Sequence, residues 1–288
     1  MKIILGGGIS GLLLASLNKQ DYLILELQHE VGGLFATEEI SGINVHIIPP
    51  IVNNPNFLEG LKYHEYRPRI RSEKVKYLKE KICSFCDKLP SWLEFNGKMF
   101  WIENLGEIIS TLSKGKKIIN EYPTIIKDKK LITNKGRSVI FDEIHSTISR
   151  RNLMKILGFD EPNLKSISAF ITILITKGEK DWDLYINGDS GILFSHIIRE
   201  SVENDIYINY IYSFFTSKLP DIKKVFSDLK RTRLLSREEI LAYRSHVIKD
   251  AILCGTPSVN VDYVKNCGRL GLWKNISLEE AVNLAHTC

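Results

Sequence analysis

Two groups of residues in this chain are spaced for chemistry. The first is Gly6-Gly7-Gly8-Ile9-Ser10-Gly11, followed by Glu26. It fits G-x-G-x-x-G. In that pattern Gly6 permits a tight turn, Gly8 lets the backbone approach a pyrophosphate, and Gly11 lets a helix pack close to a sheet. The phosphates would lie at the helix N-terminus, against unpaired N–H groups and the positive end of the helix dipole. Glu26 stands 20 residues beyond Gly6, where a carboxylate binds ribose hydroxyls and disfavours a 2′-phosphate. A dinucleotide other than NADP is expected, and this motif alone leaves NAD and FAD open. The second group is Cys83-Ser84-Phe85-Cys86. A C-x-x-C pair suits plain structural thiols, a disulfide or a redox dithiol. A zinc site would need two more ligands, and none stands out by spacing. No second G-x-G-x-x-G accompanies the pair, and no Ser/His/Asp order or H-E-x-x-H motif occurs among the scattered histidines.

The elements that must position these groups read as follows. Lys2-Ile3-Ile4-Leu5 is a short apolar strand ending at glycine, Leu12 to Leu17 has helical character, and Tyr22-Leu23-Ile24-Leu25 is a second buried strand. Continuous apolar runs of this kind belong to a parallel sheet covered on both faces. Residues 40–58 read as extended, 72–88 as a Lys- and Glu-rich helix, and Leu105 to Leu112 as a short amphipathic helix. Strands are expected at Ile118 to Ile126, Lys130 to Thr133, Ser138 to Phe141 and Ile144 to Ile148, with Asn134-Lys135-Gly136 as a hairpin turn. β character continues through Ser168 to Thr176, Asp183 to Ile186, Ile192 to His196 and Ile206 to Phe215. Lys223 to Arg231 and Arg237 to Ala242 read as helices. A last helix begins at Ser277, as N-cap, with Glu279 and Glu280 in its first turn.

The chain has 288 residues, 44% hydrophobic and 25% charged, with a formal net charge of +5. That is enough for one large core or two lobes sharing a ligand. The basic clusters at 114–117, 127–130 and 67–71 lack the aromatic interleaving of a single-strand binder, so no nucleic-acid partner is expected. No apolar run approaches the ~18–20 residues of a membrane span, and no secretory signal pattern precedes the first strand. Five cysteines, an odd count, argue against a secreted disulfide framework. A soluble, cytoplasmic protein is expected.

Glu30-Val31-Gly32-Gly33 follows the acid at once and resembles the second half of the flavoprotein motif GxGxxG…E…GG. With it the chain is similar to the flavoprotein superfamily of amine oxidases, protoporphyrinogen oxidases and UDP-galactopyranose mutases. Residues 118–149 resemble that family's middle cofactor segment, which implies Tyr122 or Pro123 near the adenine; the family's closing proline is Ser149 here. Cys267 to Ala281 resembles the family's GR.G.W segment. The likeness implies Gly268 and Arg269 by a pyrophosphate, Gly271, Leu272 and Trp273 lining a flavin, and Ser277 and Leu278 at a helix N-terminus facing the flavin O2. A helix N-terminus and an arginine both suit the negative charge of phosphates and reduced flavin. Leu27 follows the acid. Leu34 stands where the family has arginine, and His46, in Gly42-Ile43-Asn44-Val45-His46, is either close to the flavin or structural. The long helical insertion usual in the family is reduced here to residues 49–103, so substrate identity does not carry over.

The resemblance implies an α/β fold, with a Rossmann-like FAD-binding domain interleaved with a smaller, β-rich substrate-side domain. The first would comprise residues 1–48, 104–158 and 250–288, the second 49–103 and 159–249. The implied activity is an FAD-dependent oxidoreductase moving a hydride from a small-molecule substrate to flavin, with no catalytic residue assigned and no metal. A redox-neutral flavin mutase is a variant. The rival is a non-catalytic or partner-dependent flavin-binding protein, whose site a homo-oligomer or a partner subunit would complete.

Overall fold

The computed structural model describes residues 1–17 and 21–288. Strand β1 (Lys2–Leu5), helix α1 (Ile9–Leu17) and β2 (Tyr22–Leu25) form the expected opening unit. A hairpin follows, of β3 (Thr37–Ile40) and β4 (Ile43–His46). Short strands β5 (Ile51–Val52) and β6 (Tyr63–Glu65) later flank β8 (Phe100–Ile102). Between them lie β7 (Ile70–Glu73) and α2 (Leu78–Cys83). Next come α3 (Leu105–Ser113) and β9 (Lys117–Ile119), then a meander of β10 (Pro123–Lys127), β11 (Lys130–Thr133) and β12 (Ser138–Ile140). The chain returns through β13 (Glu143–Ser146) and α4 (Arg150–Ile156). The long strands β14 (Lys165–Lys177), β15 (Leu184–Asn187), β16 (His196–Glu203) and β17 (Ile206–Phe215) precede α5 (Ile222–Arg231) and β18 (Ile240–Cys254). The chain ends in β19 (Val264–Asn266), α6 (Gly268–Leu272) and α7 (Leu278–Ala285).

Two sheets organise the molecule. The first is a five-stranded parallel sheet in the order β19-β13-β1-β2-β9. Ile3 to Leu5 of β1 and Tyr22 to Leu25 of β2 form continuous buried apolar runs because both faces are covered. Ile4 and Ile24 face α1, α3 and α7. Ile3, Leu5, Leu23 and Leu25 face the meander and α4. The second sheet has the order β18-β14-β17-β16-β15-β7 and is antiparallel except at its β15–β7 edge. Along β14 the odd positions Ile167 to Ile175 face residues 40–101, and Phe170 and Leu174 face α5. This period of two is what a strand buried on both sides requires. Among the described residues, no helix is long and apolar enough to cross a membrane.

Four local expectations are corrected. Residues 72–88 are not one helix: Ile70–Glu73 pairs in parallel with β15 as a charged, exposed edge strand, and only Leu78–Cys83 is α-helical. Arg237 to Ala242 is a single 3₁₀ turn, Arg237–Glu239, capped by Ser236 and Glu239, after which the chain enters β18. Its Arg-Glu-Glu-Ile-Leu-Ala sequence favours a helix, but pairing with β14 along the whole strand overrides that propensity. Ile192 to Ser195 is a turn, and β16 starts at His196. The single strand expected over Ile118 to Ile126 is broken at Asn120–Tyr122, so β9 joins the parallel sheet and β10 the meander. Strand β18 also runs across residue 250, so Asp250–Cys254 belong to the second sheet.

Candidate functional site

The glycine turn joins β1 to α1 as its pattern requires. Gly6 has φ 98°, and its N–H donates to the Leu25 carbonyl at 2.8 Å. A Cβ on Gly11 would lie 2.1 Å from the Gly6 carbonyl oxygen, so only glycine lets α1 start this close to β1. Gly8 differs. A Cβ there would meet only Gly33 Cα, at 3.9 Å, which leaves open space above the turn. The second glycine pair is drawn onto the first: the Gly32 N–H donates to the Gly7 carbonyl at 2.8 Å, and Gly32 and Gly33 both take positive φ. Ile9 and Ser10 form the buried first turn of α1.

Glu26 ends β2 beside this turn. Its Oε2 accepts the Gly7 N–H at 2.5 Å and its Oε1 accepts the Gln28 N–H at 2.7 Å. Two carboxylate oxygens offer about four acceptor positions, so capacity remains for ribose hydroxyls. Leu27, next along, is 66% exposed. The loop after Glu26 is strapped by Asn120, whose Nδ2 donates to the carbonyls of Glu26, Leu27 and Gln28. Sequence reading missed this residue, since its only signal is the break between β9 and β10. Tyr122 is 42% exposed with its N–H on Asn134 Oδ1 at 2.9 Å, and Pro123 is buried at the start of β10.

The C-terminal segment reaches the same place. Gly268, at φ 63°, lies so close to α1 that a Cβ would stand 2.9 Å from Ser10 Oγ. A Cβ on Gly271 would lie 2.1 Å from the Ser146 carbonyl oxygen at the end of β13. Arg269 is half-buried and donates from Nη1 and Nη2 to the carbonyls of Ala251 and Asp250. Two of its five N–H donors are thereby spent on the protein itself. Leu272 is half-buried. Trp273 is only 3% exposed: it packs with Leu164 and Leu253, and its Nε1 donates to the Cys254 carbonyl at 2.9 Å. Its side chain offers no open face to a ligand. Asn275, also missed in the sequence, clasps the backbone of Leu253 at 2.8 and 2.7 Å. Ser277 caps α7 reciprocally with Glu280, and Leu278 is buried where α7 packs on α1.

His46 and Leu34 lie on the side facing the second sheet. His46 Nδ1 donates to the Phe35 carbonyl at 2.8 Å, and burial lowers its pKa. Its ring is thus neutral and tied to the backbone at one nitrogen. Leu34 packs against the core around Ile40 and Val45. The cysteines are more connected than their spacing indicated. Cys83 pairs with Cys86 and Cys267 with Cys288, and Cys254 is free.

Comparison with known proteins agrees with this geometry. The family profile of the NAD(P)-binding Rossmann-like domain matches residues 4–62. No curated protein sequence matches the chain. Among solved structures, reduced UDP-galactopyranose mutase superposes with a TM-score of 0.72 at 12% identity, covering 98% of this chain and 91% of that one. Putrescine oxidase bound to putrescine gives 0.68 at 11%, over 99% and 97%. An oxidoreductase from Methanosarcina mazei gives 0.67 at 12%, over 100% and 99%. With its Rossmann-like N-terminal domain and this overall likeness, the chain shares the fold of these solved structures.

Proposed function

We propose that this protein is a cytoplasmic FAD-dependent oxidoreductase acting on a small-molecule substrate. The observation that carries the reading is the convergence of Gly8, Gly33 and Gly268 at the N-terminus of α1, with open space over Gly8. Three glycines from three parts of the chain leave backbone, not side chains, around the place where a pyrophosphate is best held. Glu26 beside them suits the adenosine ribose, and Tyr122 and Pro123 border the adenine. Arg269, charged and anchored, supplies cationic field to the phosphates. Gly271 and Leu272 border the flavin, and Ser277 and Leu278 present the α7 N-terminus, whose dipole favours negative charge at the flavin O2. Bound flavin would supply hydride acceptance, and the protein's part is orientation and electrostatics. The FAD domain would be residues 1–48, 104–158 and 250–288, with Asp250–Cys254, the end of β18, shared with the second sheet.

The visible absorption spectrum of the purified protein tests the reading, together with titration of FAD, NAD and NADP into cofactor-stripped protein. Flavin bands, or saturable uptake of FAD in preference to the nicotinamide dinucleotides, are expected. A colourless protein that takes up no FAD would end the proposal. The TM-score of 0.72 to the reduced mutase gives a redox-neutral mutase comparable support. Anaerobic mixing with candidate donors separates the two: an oxidoreductase bleaches the flavin, while a mutase turns over without bleaching and only after prior reduction. Light scattering on the eluting protein, with and without co-purifying chains, tests whether a partner subunit completes the site.

A further inference from the structure

The cysteines that the flavin reading leaves unused meet at one point. Cys83 ends α2, and Cys86, one turn later, is linked to it. Cys254 is the last residue of β18, 168 residues beyond Cys86, yet its Sγ lies 3.0 Å from Cys86 Sγ. All three sulfurs fall within 4.8 Å of one another. Cys83 and Cys86 are buried, at 1% and 6% exposure, while Cys254 is partly exposed and carries a free thiol.

We propose that Cys254 and the Cys83–Cys86 pair form a thiol–disulfide exchange site, with Cys86 as the central sulfur. The Cys254 thiolate attacks Cys86 Sγ, forming the Cys86–Cys254 bond as the Cys83–Cys86 bond breaks. Cys83 Sγ leaves with the electron pair and takes up the proton that Cys254 released. One disulfide replaces another, so the step needs no external oxidant or reductant.

The two linkages tie different things. Cys83–Cys86 closes a single turn. Cys86–Cys254 joins the segment covering the inner face of the second sheet to β18, and the loop it closes constrains the unfolded chain far more. The end of β18 also holds the C-terminal motif, through Trp273 Nε1 on the Cys254 carbonyl and the Asn275 clasp on Leu253. Exchange thus converts a local turn into a covalent latch between the sheet's cover and the strand that seats Gly268 to Ser277.

The test equilibrates the full chain in glutathione redox buffer, quenches in acid, alkylates free thiols and maps linkages by mass spectrometry. Both Cys83–Cys86 and Cys86–Cys254 linkages are expected in the unaltered protein. Cys83→Ser is expected to form Cys86–Cys254 and to melt higher than its own reduced form. Cys86→Ser is expected to lose linkage to Cys254 by at least tenfold. An unaltered protein whose Cys254 is alkylated throughout, with Cys83–Cys86 as the sole linkage of the three, overturns the proposal without any variant. Ready Cys83–Cys254 linkage in Cys86→Ser overturns the central role of Cys86. Stoichiometric zinc in the purified protein, lost in Cys254→Ser, also overturns exchange and makes the cluster a thiolate metal site.

Discussion

The guanidinium of Arg269 is anchored on the backbone at Asp250, Nη2 donating to that carbonyl at 3.0 Å and Nη1 to the Ala251 carbonyl at 3.1 Å. Asp250 has φ 55°, and the pairing of β18 with β14 slips there. This β-bulge turns the two carbonyls toward the arginine, while the Asp250 carboxylate is held by Ser149 Oγ at 2.7 Å and Ser166 Oγ at 2.5 Å. Burial lowers the Arg269 pKa to about 10, which leaves it charged at neutral pH.

Replacing Arg269 with lysine is expected to loosen α6 from the end of β18. A compact ammonium cannot reproduce the planar fork that reaches both carbonyls. The loss should be about 1–2 kcal/mol of unfolding free energy, read by urea denaturation. FAD affinity should fall about tenfold, the equivalent of one charge-assisted contact. Unchanged affinity would remove Arg269 from the proposed phosphate site.

Gly8 and Gly11 make opposite predictions. Gly11→Ala places a methyl 2.1 Å from a backbone oxygen, so either α1 or β1 must move. A loss of about 3 kcal/mol or more in stability is expected. Gly8→Ala meets only open space. Its folded stability should change by less than about 1 kcal/mol, while FAD uptake falls steeply because the methyl occupies the approach to the pyrophosphate. Denaturation paired with flavin titration reads both. Equal FAD binding by Gly8→Ala and the unaltered protein would contradict the proposed site.

The pair Arg150 and Glu161 is buried, with Nε to Oε1 at 3.2 Å. Glu161 also accepts from the backbone N–H and hydroxyl of Ser258 and from the Val259 N–H. Arg150 Nη2 donates to the Val259 carbonyl. The pair thereby fixes the loop that leads into β19 and the C-terminal motif. Glu161→Ala leaves a buried guanidinium uncompensated and should cost about 3–5 kcal/mol. Arg150→Met with Glu161→Leu should cost less than the single change, which thermal denaturation of the two variants can decide.

His196 predicts an acid limit. The ring is fully buried, its Nδ1 is 2.9 Å from Ser195 Oγ, and its Nε2 has no hydrogen-bond partner among the described residues. Burial lowers its pKa from 6.5 to about 3. Between those values the unfolded chain binds a proton that the folded chain refuses. Its stabilising effect is therefore complete above pH 6.5 and is lost as pH falls toward 3, by up to about 1.4 kcal/mol per pH unit. His46, lowered by burial as well, acts in the same direction. His196→Leu should flatten the fall of stability by about one proton between pH ~6 and ~4, measured by urea denaturation across that range. An unchanged slope would mean that His196 does not stay neutral in the fold.

The N-terminal unit was legible because each requirement there is local. A strand, a glycine turn, a helix and a second strand ending in Glu26 follow from short apolar runs and from positions where a Cβ cannot fit. The capping of α7 by Ser277 and Glu280 is equally local, since four consecutive residues satisfy their own backbone. What sequence could not decide was contact across distance. Trp273 read as a flavin-lining residue, and packing with Leu164 and Leu253 buries its ring, a contact invisible in the sequence. Arg237 to Ala242 read as a helix because its propensity is visible, whereas the ladder to β14 that overrides it is not. Asn120 and Cys254 carry no motif, Asn275 lies in one without a role of its own there, and the roles of all three depend on backbone or sulfur atoms brought to them by the fold. The strand–glycine turn–helix unit was thus written in local backbone geometry, and the placing of the C-terminal segment against it was decided only when the two sheets packed together.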